Sequence, residues 1–413
     1  MSKLQELINK LCPNGVEFKP LGEVFEMRNG YTPSKNNPDF WEGGTIPWFR
    51  MDDIRENGRI LSDSIQHITP SAIKGKGLFE ANSFILATTA TIGEHALIIA
   101  DSLANQQFTN LKVRKSLSNL LVTKFIYYYM FIVDDFCKRN TNVSGFASVD
   151  MDKLKKMPFP VPPIEVQEEI VRILDSFSDY AAELQAELQA RKQQYEYYRN
   201  LLLTFNPSAY ACGTDDEQKD GVTTWGGRNY KIEWKKLGEI CDNMDKLRKP
   251  VTASTRISGI YPYYGASGVV DYVNNYIFDG SYLLISEDGA NLLARSTPIA
   301  FSIYGKTWVN NHAHVLHFNS DVTRKFVEYF INNLDISKYV SGGAQPKLNQ
   351  KKLNSILIPI PPLELQEKIV AILDRFETLV NDLTNGLPAE IAAVKDQYEY
   401  YRNKLLTFKK LSA

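Results

Sequence analysis

Three histidines stand close together, His312, His314 and His317, and the first two would share one face of a strand, a spacing at which imidazoles can ligate zinc. An earlier stretch of the chain, NQQFTNLKV at 105–113, matches NNHAHVLHF at 310–318 and places Gln107 and Thr109 where His312 and His314 stand. A ligand set missing from the sister copy reads as ordinary surface or core histidine. Gly305-Lys306-Thr307 ends like a phosphate-binding loop, but the glycine needed five residues earlier is Ala300. Asn206-Pro207 resembles the start of the Asn-Pro-Pro-aromatic element of adenine methyltransferases, yet Ser208-Ala209 follow and no glycine-rich cofactor loop accompanies them. Pro38-Asp39 is not followed by the acidic-x-Lys trio of nucleases. The cysteines Cys12, Cys137, Cys212 and Cys241 form no CxxC pair, which points to a reducing compartment. The expectation is a chain with no catalytic residues, metal or cofactor of its own.

The elements that would position any site are written twice. PVPPIEVQE at 160–168 reappears as PIPPLELQE at 359–367, an offset of 199. IVRILDSF at 170–177 answers IVAILDRF at 369–376, and YEYYRNLLLTF at 195–205 answers YEYYRNKLLTF at 398–408, now at an offset of 203. Upstream, EFKPLGE at 17–23 is echoed by EWKKLGE at 233–239. Each half therefore has a Leu-Gly-Glu opening, about 130 mixed residues, a Pro-rich hinge and a long closing segment. Val166, Ile170, Ile173, Phe177, Tyr180, Leu184, Leu188, Tyr195, Tyr198, Leu202 and Phe205 mostly keep the 4-3 spacing of a coiled-coil seam. Leu365, Ile369, Ile372, Phe376, Leu379, Leu383, Leu387, Ile391, Val394, Tyr398, Tyr401, Leu405 and Phe408 do the same. Two matched seams favour two long helices packed on each other, antiparallel. Their starts follow Pro162-Pro163 and Pro361-Pro362, residues that suit a first helical turn.

The blocks between are richer in strand signals. Ser83-Phe84-Ile85-Leu86-Ala87 and Ala96-Leu97-Ile98-Ile99-Ala100 flank a Thr/Gly turn; Ser281-Tyr282-Leu283-Leu284-Ile285 and Pro298-Ile299-Ala300-Phe301-Ser302 are their counterparts. Helical patches at 123–136 and 323–331 close the blocks, so each reads as a compact α+β domain. Residues 206–229 are Gly-, Asp- and Thr-rich without periodicity and read as a linker.

Charge is distributed with the repeat. The net charge of −1 hides 17 basic and 15 acidic residues at 19–157, 15 and 11 at 231–357, and 4 against 8 at 160–205. A polyanion would meet the two mixed blocks rather than the helices. No run of about 18 apolar residues occurs and the first residues carry no signal sequence, so the expectation is a cytoplasmic protein without a membrane partner.

This duplicated plan, with IPxPPxxxQExIVxILDxF hinges, YEYYRNxLLTF helix ends and a block such as YPYYGASGVVDYVNNYIFDG at 261–280, resembles the specificity subunit of type I restriction-modification systems. The resemblance covers almost the whole chain. It implies an α+β fold of two pseudo-symmetric mixed α/β target-recognition domains separated by two long helices forming an antiparallel coiled coil. The domains fall at 1–159 and 231–358, the spacer helices at 160–205 and 359–413, with a linker at 206–230. It further implies a non-catalytic chain that reads a split sequence in double-stranded DNA. The partners it implies are two modification subunits, which bring S-adenosylmethionine and methylate adenine, and restriction subunits that use ATP and magnesium. One departure is the Pro388 turn, with four extra residues in the second helix.

A domain inserted in a major groove needs donors and acceptors for base edges and cations for phosphates, and loop residues supply both. On that implication the first block offers Tyr31, Thr32, Ser34, Lys35, Arg50, Thr88, Thr89, Thr91 and Gln107. The second offers Lys246, Arg248, Lys249, Tyr264, Ser267, Asp288, Asn291 and Lys347. AELQ at 182–185 is followed by AELQ at 186–189 in the middle of the first helix, where the family's short spacing repeats sit. The competing readings are a coiled-coil scaffold without sequence-specific DNA binding, which would not need two large diverged domains, and an enzyme with its own active site.

Overall fold

The structure, a computed structural model, describes residues 2–142, 147–205, 221–343 and 345–411. The chain divides into two compact units, Met1–Leu184 with Ile391–Ala413, and Gln185–Glu390.

In the first unit, Glu17–Pro20 pairs antiparallel with Pro158–Val161, so the opening of the block is stitched to its hinge. A proline-rich hinge can serve as a strand because an edge residue need not donate to a ladder. The central sheet has the strand order Phe25–Asn29, Phe108–Val113, Ser83–Ala87, His95–Ile98, Ile60–Leu61. Its inner strands Ser83–Ala87 and His95–Ile98 are buried along their whole length because both faces are covered. Phe84, Leu86, Leu97 and Leu111 face one core, and Ile85, Ala87, Ala96, Ile98 and Phe108 the other. The helix Thr123–Arg139 closes the first core with Phe125, Ile126, Tyr129, Met130, Val133 and Cys137, an i, i+3/i+4 stripe.

The second unit repeats the scheme. Its sheet runs Asp242–Asn243, Ala313–His317, Phe278–Ser286, Ala300–Val309, Ser258–Gly265, Gly268–Val273. Leu283, Ile285 and Leu316 face the larger core, while Leu284, Ala313 and Val315 face a smaller one. The helix Asp321–Asn333 takes the place of Thr123–Arg139.

The segment expected as a linker is only partly one that can be described, since 206–220 lie outside the described residues. Residues 221–230 are not loop. Gly221–Trp225 forms a hairpin with Arg228–Lys236, which in turn pairs with the second hinge strand Leu357–Ile360. Gly226 (φ 56°) and Gly227 (φ 77°) make the two-residue turn, and only glycine or a few polar residues accept positive φ at both positions. Tyr230 and Ile232 are buried in the second unit's core, which fixes the hairpin's register.

The first long helix, α1, spans Ile164–Leu203, starting four residues later than expected because the hinge is a strand. The second is divided into α2, Leu363–Asn381, and α3, Leu387–Leu405. The four extra residues of the second copy lie in this break: the Asp382 carboxylate accepts from the Thr384 amide (2.7 Å) and hydroxyl (2.6 Å), and the Gly386 amide closes onto the Asp382 carbonyl (3.1 Å). Pro388 then occupies a first helical turn. Both helices begin as parts of their own domains. Val166, Ile170 and Leu174 are fully buried in the first core, and Leu365, Ile369 and Leu373 in the second. The first turns of the expected helix–helix seam therefore face their own domains, with Leu174 and Leu373 buried where the seam spacing names the half-buried Ile173 and Ile372. Tyr128 donates to Asp175 at 2.6 Å and Tyr329 to Asp374 at 2.5 Å, the same tether in each copy. Phe177 stacks on Tyr401 at 5.5 Å within the first unit, and Tyr198 on Phe376 at 5.7 Å within the second. The repeat equates Phe177 with Phe376 and Tyr198 with Tyr401, and residue numbers rise along α1 as they fall along its partner, so the helices are antiparallel.

Candidate nucleic-acid interface

In each unit the ends of several strands and their loops are hydrogen-bonded into one surface. In the first, the Gly30 amide donates to the Phe108 carbonyl (2.8 Å), Tyr31 to Ala104 (2.9 Å), Asn105 to Phe49 (3.0 Å), Thr88 to Gln107 (2.9 Å) and Val149 to Thr88 (2.8 Å). The loops carrying Tyr31 to Lys35, Arg50, Thr88 to Thr91 and Gln107 are thus neighbours, although they are distant in sequence. In the second, Asn310 donates to Tyr264 (3.0 Å), Lys249 to Val309 (3.3 Å), Glu287 to His312 (2.9 Å) and Leu348 to Glu287 (2.8 Å), and the Ser286 hydroxyl to Ala266 (2.6 Å). The amide of Val149 on Thr88 and that of Leu348 on Glu287 are the same contact in the two copies.

Not every candidate side chain faces outward. Thr88 is buried, its hydroxyl shared with Thr109 at 2.9 Å. Arg248 is 13% exposed and turned inward: its guanidinium donates to Glu287 (2.7 Å) and to the Ala313 carbonyl (2.7 Å). Asn291 closes its own loop, donating to the Thr297 carbonyl (3.0 Å) and accepting from the Ser296 hydroxyl (2.9 Å) and Thr297 amide (3.1 Å). The Tyr31 hydroxyl donates to the Ala72 carbonyl (3.0 Å) and accepts from the Lys74 amide (2.7 Å). Tyr264 packs on Phe301 at 6.1 Å, and burial pushes its phenol up. All five side chains are engaged within their own unit: Asn291, a short polar side chain in a turn, satisfies its own backbone, and the other four are held by neighbouring strands and loops.

The side chains left at the surface are fewer. Ser34 and Lys35 are exposed in the first unit, and Thr32 donates to Gln106, the exposed neighbour of Gln107. Arg50 is half-buried beside Trp48, with its ring 6.0 Å away and Asp52 at 3.7 Å. Thr89 and Thr91 are half-buried, and Gln107 accepts from Asn105 at 3.2 Å. In the second unit Lys246, Lys249 and Ser267 are exposed, Lys347 reaches Glu287 (3.1 Å) with its side chain 54% exposed, and Asp288 pairs with His312 (2.9 Å).

The histidines that suggested a metal have other partners. His314 is buried, its Nδ1 2.6 Å from Asp245 and its Nε2 2.8 Å from the Leu348 carbonyl. Burial alone would raise the Asp245 carboxyl, but His314, the Val315 amide and Arg248 outweigh it and hold it low. Glu287 is likewise held low against burial by Arg248, His314 and Lys347. Among the described residues no group of three or more His, Cys, Asp or Glu could hold a metal ion, and no helix is long and apolar enough to cross a membrane.

Beside the first surface lies a basic cavity of about 280 Å³, lined by Arg28, Asn29, Tyr31, Lys74, Gly75, Lys76, Gly77, Phe79 and Leu103. Its cations were missed in the sequence; the signal was Lys74-Gly75-Lys76-Gly77, a turn that supplies two cations with flexible backbone between them.

Comparison with known proteins gives one consistent result. Residues 13–191 and 230–393 match the family profile described as type I restriction modification DNA specificity domain. The chain is 41% identical over 413 aligned residues to the type I restriction enzyme EcoprrI specificity subunit of Escherichia coli, covering 96% of this chain and 94% of the relative. It is 29% identical to the EcoR124I/EcoR124II specificity subunit of Escherichia coli, covering 99% and 98%. Two solved structures share the fold at 17% identity. One, from work on complex assembly and conformational transition of the type I R-M system, has a TM-score of 0.59 and coverage of 96% and 98%. The other, the HsdS subunit from Thermoanaerobacter tengcongensis, has a TM-score of 0.54 and coverage of 96% and 97%.

Proposed function

Since the chain belongs to the type I restriction-modification DNA specificity family, as its non-catalytic DNA-recognition subunit, we propose that it reads a two-part target in double-stranded DNA, one part per recognition domain, and so directs adenine methylation and restriction by partner subunits. The observation that carries this is the doubled surface: the same strand ends converge in each unit, held by the same backbone contacts, yet bear different side chains. A scaffold would need neither the doubling of the loops nor their divergence. S-adenosylmethionine, ATP and magnesium belong in this reading to the partners, which meet the chain on the cytoplasmic DNA. The repeated hinges and helix starts offer two equivalent docking surfaces, so two modification subunits join one copy of this chain.

The test is to sequence genomic DNA for modified adenines in cells with and without the gene, and again after residues 19–157 are exchanged for those of another family member. The expected outcome is a split methylated motif that disappears with the gene and of which only one half changes on exchange. An unchanged methylation pattern on deletion sinks the reading, and a change in both halves sinks the independence of the domains. Native mass measurement of the assembled complex should give two modification subunits per chain; one would remove the docking argument.

A further inference from the structure

Arg28 is the penultimate residue of the edge strand Phe25–Asn29, and its guanidinium lies 4.5 Å over the Phe79 ring. Among the described residues it has no carboxylate within ion-pairing distance: nearby Glu80 is taken by Lys112. Burial lowers the Arg28 guanidinium, and Tyr31 and Glu80 only partly offset it. A half-buried cation stacked on an aromatic ring without a counter-ion is a group held ready for an anion from outside. The Lys74-Gly75-Lys76-Gly77 turn forms the facing wall, anchored by the Lys74 amide on the Tyr31 hydroxyl (2.7 Å). Gly75 (φ +60°) and Gly77 (φ +79°) take left-handed backbone, with nothing within 4 Å of where a Cβ would stand, so the turn is open to a ligand on its outer side. Lys74 and Lys76 are exposed and have no carboxylate partner among the described residues. Arg28, Lys74 and Lys76 border about 280 Å³ whose remaining wall includes Phe79 and Leu103, so the cavity offers charge but few placed donors and acceptors, which suits a compact anion such as a phosphate better than a base with its patterned edge.

We infer that Arg28 with Lys74 and Lys76 forms a phosphate anchor that grips one backbone phosphodiester beside the half-site read by the first domain. The inference rests on the DNA-recognition reading above and deepens it. Arg28 and Asn29 run directly into Gly30 and Tyr31, which open the loop of candidate readers, so a phosphate held here sets the register in which that loop meets the bases. The second unit has no Lys-Gly-Lys-Gly segment, so the grip belongs to the first half-site alone.

The experiment uses the complex assembled with its modification subunits and measures binding of a labelled duplex carrying the methylated motif, and of a scrambled duplex, across a salt series. The variants are K74A/K76A, which lies on an exposed turn; R28A, with R28K to check that the fold survives; and K10A as a control, an exposed lysine of the helix Lys3–Leu11 that does not line the cavity. K74A/K76A and R28A should weaken both duplexes about tenfold and flatten the dependence of log affinity on log salt by about one unit, with K10A unchanged. Unchanged affinity and slope, or a loss confined to the motif duplex, overturns the anchor. Inorganic phosphate should displace DNA from the unmodified complex more than chloride does at equal ionic strength, and not from K74A/K76A. Phosphate binding without any change in the DNA salt slope assigns the pocket to a free anion and also overturns it. A complex that does not distinguish the two duplexes would instead overturn the DNA-recognition reading, which the comparison of motif and scrambled DNA reports separately from the salt slope.

Discussion

Arg248, on residue type and loop position, looks like a base reader, and its guanidinium is instead fixed between Glu287 and the Ala313 carbonyl, with Asp245 3.4 Å away. Removing it leaves two nearly buried carboxylates, Asp245 at 7% and Glu287 at 12% exposure, short of a cation. Arg248→Ala should therefore cost about 3 kcal/mol of the second unit's stability, read as faster hydrogen exchange along Ala313–His317. Lost recognition without that destabilisation would return Arg248 to the DNA surface. The pH response has a definite sign. Asp245 and Glu287 are held below their ordinary values when folded, so their contribution is full above about pH 4 and is lost as pH falls through the folded values. Protection of this strand should fall below about pH 4 in the native chain, and fall less steeply in Arg248→Ala. Residue type was legible in the sequence here and orientation was not. Thr88, Arg248 and Asn291 carry the right groups, and only the fold shows that neighbouring strands claim the first two and its own loop the third.

At the scale of elements, the repeat made both domains and both helices legible, because matched segments 199 and 203 residues apart must form the same structures. What it hid were strands made of unusual residues: the hinge strands, rich in proline, and the hairpin Gly221–Trp225 with Arg228–Lys236, whose Gly226-Gly227 pair was a turn signal inside a stretch read as linker. The repeat also hid a difference at the helix starts. Gln167, fully buried, donates to the Leu120 and Pro162 carbonyls (both 2.7 Å) and accepts from the Val122 amide (2.8 Å). Its equivalent Gln366 donates only to Pro361 (2.7 Å), and its Oε1 is buried without a partner. Gln167→Ala strands two carbonyls and an amide, whereas Gln366→Ala strands one carbonyl and removes an unsatisfied oxygen. The first should cost about 3 kcal/mol and the second about 1 or less, compared by hydrogen exchange in the two units. Equal losses would mean that the extra bonds in the first copy contribute nothing.

At the scale of the whole molecule, the division between the two units passes through the tandem AELQ, between Leu184 and Gln185, while α1 continues unbroken across it. Residues inserted there add to neither core. A third AELQ lengthens α1 by ~6 Å and turns it by about 400°, leaving roughly 40° beyond a full turn. The partner helix can follow because it is already interrupted: Asp382 to Gly386 form a turn between α2 and α3, on the stretch between Phe376 and Tyr401 that must lengthen if both ring stacks are to survive. The Phe177–Tyr401 and Tyr198–Phe376 stacks each lie within one unit, so an insertion at the division leaves both pairs of residues intact. B-DNA rises ~3.4 Å per base pair, so an added ~6 Å along the paired helices should widen the unspecified gap by between one and two base pairs and leave both half-sites as they were. The check is a methylation map from cells carrying the insertion. A motif with the same halves and a wider gap supports helices that act as a spacer, and full methylation at the original gap would remove that role from them.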